Sequence, residues 1–131
     1  GNTDDYDMDR FWNGPVQVRS LKIRLFSGLK KTGGDVFKVI ENGNETMDTD
    51  YVLFTYTDGY GDVPAEVETF LISNSSHLKG VIVSGDQSYG EAYCLAGDKI
   101  AETYDVPCLY KVENSGTDSD VIAIKEILEK L

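Results

Sequence analysis

The chain has 131 residues, 40% of them hydrophobic and 27% charged, with a formal net charge of −11. That is a one-domain length with ordinary globular composition, so a collagenous, disulfide-scaffold or largely disordered chain is excluded. A surface this acidic repels phosphate backbones, which argues against nucleic-acid binding, and no apolar run approaches the ~20 residues needed to cross a membrane.

One domain over residues 1–131 is expected, with residues 1–17 irregular or atypical. Asp4, Asp5, Asp7 and Asp9 crowd the start, and nothing there reads as a buried strand. Gly1-Asn2-Thr3-Asp4-Asp5 has no basic or apolar leader region, so no signal peptide is read and a cytoplasmic location is expected. Val18, Leu21, Leu25 and Leu29 then recur at helical spacing. Arg19, Lys22, Arg24 and Lys30 can face water, and Gly33-Gly34 would stop the helix. The same stretch also reads as a strand, since Leu21, Ile23 and Leu25 alternate with Lys22 and Arg24. A strand covered on both faces would bury those charges, so the helix is preferred.

From residue 35 two textures alternate. Strands are predicted over 35–40 (DVFKVI), 51–57 (YVLFTYT), 78–84 (LKGVIVS) and 106–112 (VPCLYKV). The second is apolar and aromatic almost throughout, as a central strand should be. Helices are predicted over 64–72, 91–104 and 117–131. The first opens with Pro64 and carries Glu66 and Glu68 in its positive first turns, with Val67, Phe70 and Leu71 on one face. The second spaces Ala92, Leu95, Ala96, Ile100 and Tyr104 three and four apart. The third does the same with Val121, Ile124, Ile127, Leu128 and Leu131, and Thr117 or Asp118 would cap it. Strand–helix alternation predicts an α/β fold with a parallel sheet and helices on both faces.

Cys94 and Cys108 match neither CxxC nor a zinc spacing and read as reduced, half-buried thiols. The lone His77 lies in a polar stretch and reads as a surface residue. No metal site is expected.

In a parallel sheet, ligands bind beyond the carboxyl ends of the strands. The segments that follow the strands are therefore the candidates. Thr55-Tyr56-Thr57-Asp58-Gly59-Tyr60-Gly61-Asp62-Val63-Pro64 follows the central strand, and its two glycines permit positive φ and close approach to a ligand. Ser84-Gly85-Asp86-Gln87-Ser88-Tyr89-Gly90 follows the next strand, and Glu113-Asn114-Ser115-Gly116-Thr117 follows the last. Tyr56, Tyr60 and Tyr89 supply rings, and the backbone supplies amides, as a flat aromatic ligand requires.

These residues, together with Lys79-Gly80-Val81-Ile82-Val83-Ser84-Gly85, Tyr89-Gly90-Glu91-Ala92-Tyr93-Cys94, Val106-Pro107-Cys108-Leu109-Tyr110-Lys111 and Ser115-Gly116-Thr117-Asp118-Ser119-Asp120-Val121, resemble the NrdI family in order and spacing. The resemblance runs from about Arg24 to the C-terminus. It implies a three-layer flavodoxin-like fold with a parallel sheet in the order 2-1-3-4-5. It also implies FMN held by Thr55, Tyr56, Thr57, Asp58, Gly59, Tyr60, Gly61, Ser84, Gly85, Asp86, Gln87, Ser88, Tyr89, Gly90 and Tyr93. The implied role is accessory rather than that of a stand-alone metabolic enzyme. Superoxide made from reduced FMN and dioxygen would activate the dimanganese-tyrosyl radical cofactor of a class Ib ribonucleotide reductase small subunit, and a flavodoxin reductase or other donor would supply electrons. No side chain need act as general base or nucleophile, because the flavin carries the redox chemistry.

Two departures shape the expectations. The family's loop after the fourth strand usually reads Gly-Asn-Arg-Asn, an aromatic and Gly, whereas this chain has the acidic Asp86 and no basic residue there. The phosphate loop of flavodoxins follows a first, central strand. Gly1-Asn2-Thr3 matches its tail weakly with no strand before it, and Ser27, Lys30, Lys31 and Thr32 fall at the far end of the preferred helix. The first strand is therefore not identifiable in the sequence. Two further readings remain: a general flavodoxin electron carrier, and a flavin-free binding module that lost the phosphate loop.

Overall fold

The structure is a computed structural model that describes residues 24–27, 37–40, 42–48, 50–114 and 116–130. Five strands form one parallel sheet: β1 Arg24–Ser27, β2 Phe37–Val39, β3 Tyr51–Tyr56, β4 Leu78–Gly85 and β5 Cys108–Glu113. Their order across the sheet is β2-β1-β3-β4-β5, as the resemblance implied. Leu25 pairs with Phe37 on one side and Val52 on the other, and Leu53 pairs with Val81. The order reverses between β1 and β3, which is where flavodoxin-like sheets open a crevice.

β1 corrects two expectations. Residues 24–27 are a strand and not part of a helix, and the first strand of the sheet is identifiable within the chain. The burial penalty that favoured the helix assumed Lys22 and Arg24 inside a covered strand. The described part of the strand runs from Arg24 to Ser27, beside β2 and β3. Four residues are also too few for a period-2 pattern to outweigh a helical stripe drawn over twelve. The expectations for residues 1–17, for Lys30, Lys31 and Thr32, and for the Gly33-Gly34 stop lie outside the described residues.

Among the described residues the helices are α1 Ala65–Asn74, α2 Leu95–Tyr104 and α3 Asp118–Glu129. The α2 boundary is a second correction. Residues 87–92 form a 3₁₀ segment, and Cys94 caps α2 in the left-handed region at φ 54. Residues 91–94 are thus not α-helical, because Gly90 at φ 57, ψ −117 breaks the path of the chain. β3 is buried at every residue. α1 lays Val67, Phe70 and Leu71 over Tyr51 and Leu53, and α2 adds Ile100 to the same cluster. Tyr51 and Phe70 meet edge to face at 5.7 Å. Asn74 closes this region: its side chain accepts from Met47 N–H and donates to the carbonyls of Glu45 and Phe70. That buried clamp fixes the chain entering β3 against the end of α1. On α3, Val121, Ile124 and Leu128 are buried, as the spacing predicts.

Candidate functional site at the carboxyl edge of the sheet

All five strands run parallel, so the segments after β3, β4 and β5 emerge at one edge. Each is tied down by hydrogen bonds that the sequence does not reveal. After β3, Asp58 and Asp62 exchange backbone N–H···O=C bonds of 2.8 and 2.7 Å, closing a tight loop around Gly59 and Gly61. Both glycines have positive φ, +47° and +94°. A side chain at Gly61 would lie 2.6 Å from Leu95 on α2, whereas one at Gly59 would meet Asp62 Oδ2 at an ordinary contact distance of 3.6 Å. Gly61 therefore serves packing, and Gly59 keeps its backbone accessible.

After β4, the Asp86 carboxylate accepts from Ser88 N–H at 2.9 Å and caps the 3₁₀ segment. That bond holds its carboxyl below the usual carboxylate range. Asp86 thus has a local structural partner. Gln87 N–H reaches the Glu113 carboxylate at 3.3 Å. Asn114 N–H donates to Gly85 O at 2.7 Å, and Ser84 Oγ donates to Asn114 O. Thr57 N–H donates to Ser84 O at 2.8 Å. The ends of β3, β4 and β5 are thereby stitched together through Ser84 and Gly85.

The expected site residues fall into three groups. Tyr60 and Tyr89 meet across the two loops, and both are exposed. Asp58, Gly59, Gly61, Asp86, Gln87, Ser88 and Gly90 lie in the segments after the strands, and Ser84 and Gly85 end β4 itself. Thr55, Tyr56, Thr57 and Tyr93 lie inward. Thr55 is buried, and Tyr56 donates its hydroxyl to Glu66 on α1 at 3.1 Å. Tyr93 is pushed up to about 12, first by burial and then by Cys94 beside it. Cys94 itself is fully buried, not half-buried as expected, and burial pushes its thiol up to about 11. Both cysteines are unpaired thiols. His77 sits 3.4 Å from Asp50 at the opposite end of β4, with over a third of its side chain exposed.

Two buried side-chain oxygens at this edge have no hydrogen-bond partner among the described residues: Thr57 Oγ1 and Asn114 Oδ1. Each is a polar atom withdrawn from water at the carboxyl edge, and a hydroxyl and an amide oxygen there are suited to hydrogen-bonding the edge of a heteroaromatic ring. Sequence reading put Thr57 among the FMN-binding residues and Asn114 only within the candidate segment after the last strand. No pattern marks an orphaned atom, because it depends on how three strand ends meet. A separate cavity of about 380 Å³ lies on the flank, between α1 and α2, lined by Glu68, Leu71, Lys99, Ile100 and Tyr104 among others. It shares Asp62 and Val63 with the segment after β3, and Asp62 pairs there with Lys99 at 3.6 Å. Among the described residues, no cluster of three or more His, Cys, Asp or Glu could hold a metal ion, and no helix is long and apolar enough to cross a membrane.

A five-stranded parallel sheet ordered 2-1-3-4-5, with Gly-rich loops at its carboxyl edge, defines a flavodoxin-like protein. The chain belongs to the NrdI family within that class: the model described as "NrdI Flavodoxin like" matches residues 20–126. It is 40% identical over 87 residues to "Protein NrdI" of Bacillus licheniformis, covering 66% of each chain. It is 46% identical over 83 residues to "Protein NrdI" of Beutenbergia cavernae, covering 59% of this chain and 60% of that one. A third "Protein NrdI", from Macrococcus caseolyticus, is 40% identical over 89 residues, with 65% and 69% covered. The matched stretch therefore spans about two thirds of the length of these relatives.

Proposed function

We propose that the chain holds FMN at the carboxyl edge of β3, β4 and β5 and acts as the flavin partner of a class Ib ribonucleotide reductase small subunit. The observation that carries the reading is the buried, unpartnered Thr57 Oγ1 at the end of the central strand, in a chain of the NrdI family. When bound, reduced FMN would supply an electron to dioxygen, and the superoxide would activate the dimanganese-tyrosyl radical cofactor of that subunit.

The residues have separable parts in this. Thr57 offers its hydroxyl to the ring edge, and the Asp58–Asp62 loop presents backbone amides beside Gly59. The Asp86–Ser88 cap fixes the second loop so that Tyr89 is held at its rim. Tyr60 and Tyr89, in edge-to-face contact at the rim, would part to flank the ring and screen it from water. Electrons would come from a flavodoxin reductase or a similar cytoplasmic donor.

Calorimetric titration with FMN tests the reading, followed by capture of the small subunit on the FMN-loaded protein. Saturable one-to-one binding and specific capture are expected. A colourless protein that takes up no FMN would leave a flavin-free binding module. FMN binding without capture would leave a general flavodoxin electron carrier.

A further inference from the structure

Asn114 is the first residue beyond β5, and its backbone is held on both sides. Its N–H donates to Gly85 O at 2.7 Å, and its carbonyl accepts from Ser84 Oγ. It adopts the left-handed conformation at φ 51. Glycine would satisfy that backbone without strain, so conformation alone does not call for an amide. The amide oxygen is nevertheless buried with no donor among the described residues. A buried acceptor without a donor weakens the fold that carries it, and the bonds at its N–H and carbonyl hold the Asn114 backbone in place. A group that satisfies this oxygen is a hydrogen-bond donor, N–H or O–H.

Charge narrows its chemistry. The Asp86 carboxylate caps the neighbouring segment, and the Glu113 carboxylate, one residue before Asn114, reaches across to that same segment. Two acids so near disfavour an anionic group, which leaves a neutral or cationic donor on a ligand that enters beside Gly85. The pyrimidine portion of a flavin carries one such donor, its imide N–H, between two carbonyls. Resting on the FMN reading, we infer that Asn114 Oδ1 accepts the imide N–H of the flavin. Asn114 is then the residue that selects for an unsubstituted imide edge.

The test compares FMN with N3-methyl-FMN, which lacks that N–H, by calorimetry on the wild-type chain and on Asn114→Gly. The variant keeps the left-handed backbone and removes only the amide. The wild-type chain is expected to bind FMN about tenfold more tightly than the methylated analogue, the scale of an unpaired buried acceptor. Asn114→Gly is expected to bind the two within about twofold of each other. Melting of the ligand-free proteins gives a second readout: the variant is expected to melt at the same temperature or higher, and to gain less from added FMN. Equal affinities in the wild-type chain, or full discrimination retained by Asn114→Gly, overturn the inference while leaving FMN binding intact. A ligand-free variant that melts several degrees lower also overturns it, because the amide would then be serving the fold. Failure of the wild-type chain to bind either flavin overturns the FMN reading, and this inference with it.

Discussion

Tyr60 and Tyr89 meet edge to face, with ring centroids 5.1 Å apart and planes at 89°. The contact joins the loop after β3 to the loop after β4 at the rim of the carboxyl edge. A flat ring held between two parallel aromatics needs roughly 7 Å between them, two contacts of about 3.5 Å. Ligand entry between the loops must therefore part this pair. Tyr60 is 76% exposed and Tyr89 42%, so the proposed reading assigns the less exposed Tyr89 to the ring and Tyr60 to a partner. Tyr89→Ala is expected to lower FMN affinity about fivefold, the ~1 kcal/mol of one aromatic contact. Tyr60→Ala is expected to weaken capture of the small subunit by the loaded protein by about 2 kcal/mol. Titrations that return the reverse assignment, or no change in either, would place these loops away from the working surface.

The two glycines of the first loop should separate stability from binding. A methyl at Gly61 would stand 2.6 Å from Leu95 Cδ2 and 2.9 Å from Leu95 Cβ, at φ +94. Gly61→Ala must therefore displace α2, and about 2 kcal/mol of unfolding free energy is expected to be lost in urea titrations. Gly59 meets nothing closer than Asp62 Oδ2 at 3.6 Å. Gly59→Ala pays only for its positive φ, about 1 kcal/mol. Gly59→Val, bulkier and stiffer there, is expected to weaken FMN binding while the fold survives. Equal destabilisation by the two alanine substitutions would contradict the packing role assigned to Gly61.

The start of α3 carries a capping box that also reaches β5. Thr117 accepts from Asp120 N–H, and the Asp120 carboxylate accepts from Thr117 N–H at 2.8 Å. The same carboxylate accepts the Tyr110 hydroxyl at 2.6 Å. Thr117→Ala should cost about 1 kcal/mol, the usual worth of a cap. Asp120→Ala removes the cap partner and leaves the Tyr110 hydroxyl unpaired, so about 2 kcal/mol is expected. Tyr110→Phe in the Asp120→Ala background should cost little more, and a fully additive loss would show that the Tyr110 bond is independent of the cap.

Much of this arrangement was legible in the residues. The run YVLFTYT announced a covered central strand, and Pro64, Glu66 and Glu68 announced the start of a helix that runs from Ala65 to Asn74. Thr117 capped its helix as its residue type suggests. β1 misled because four residues carry too short a pattern, and its place in the sheet comes from two neighbouring strands distant in sequence. The helix through 91–94 misled because the spacing of Ala92, Leu95 and Ala96 is insensitive to a single glycine turn. The positions of Tyr60, Tyr89 and Asp86 in strand-end loops followed from topology alone. The orphaned oxygens and the Ser84–Asn114 stitch did not, since they depend on the relative heights of three strand ends.

Cys94 supplies a pH dependence with a definite sign. Its thiol is enclosed by β4 and β5, within reach of the carbonyls of Val83 at 3.5 Å and Val112 at 3.7 Å. Burial pushes it up to about 11, above the roughly 8.5 of a thiol in an unfolded chain. Below about pH 8.5 both states keep the proton, and the contribution to stability is fully present. As pH rises from there, the unfolded chain ionises first and gains free energy, so stability falls progressively until the folded thiol titrates near 11. Cys108, also raised by burial, adds a slope of the same sign. The melting temperature is therefore expected to decline between about pH 8.5 and 11, and Cys94→Ala is expected to flatten that decline while lowering the whole curve through lost packing. Thiol-specific reagents at pH 8 are expected to modify the half-buried Cys108 and leave Cys94 unmodified until the chain unfolds. Parallel melting curves for the wild-type chain and Cys94→Ala across this range, or rapid labelling of both thiols in the folded protein, would show that the Cys94 thiol is not enclosed between β4 and β5.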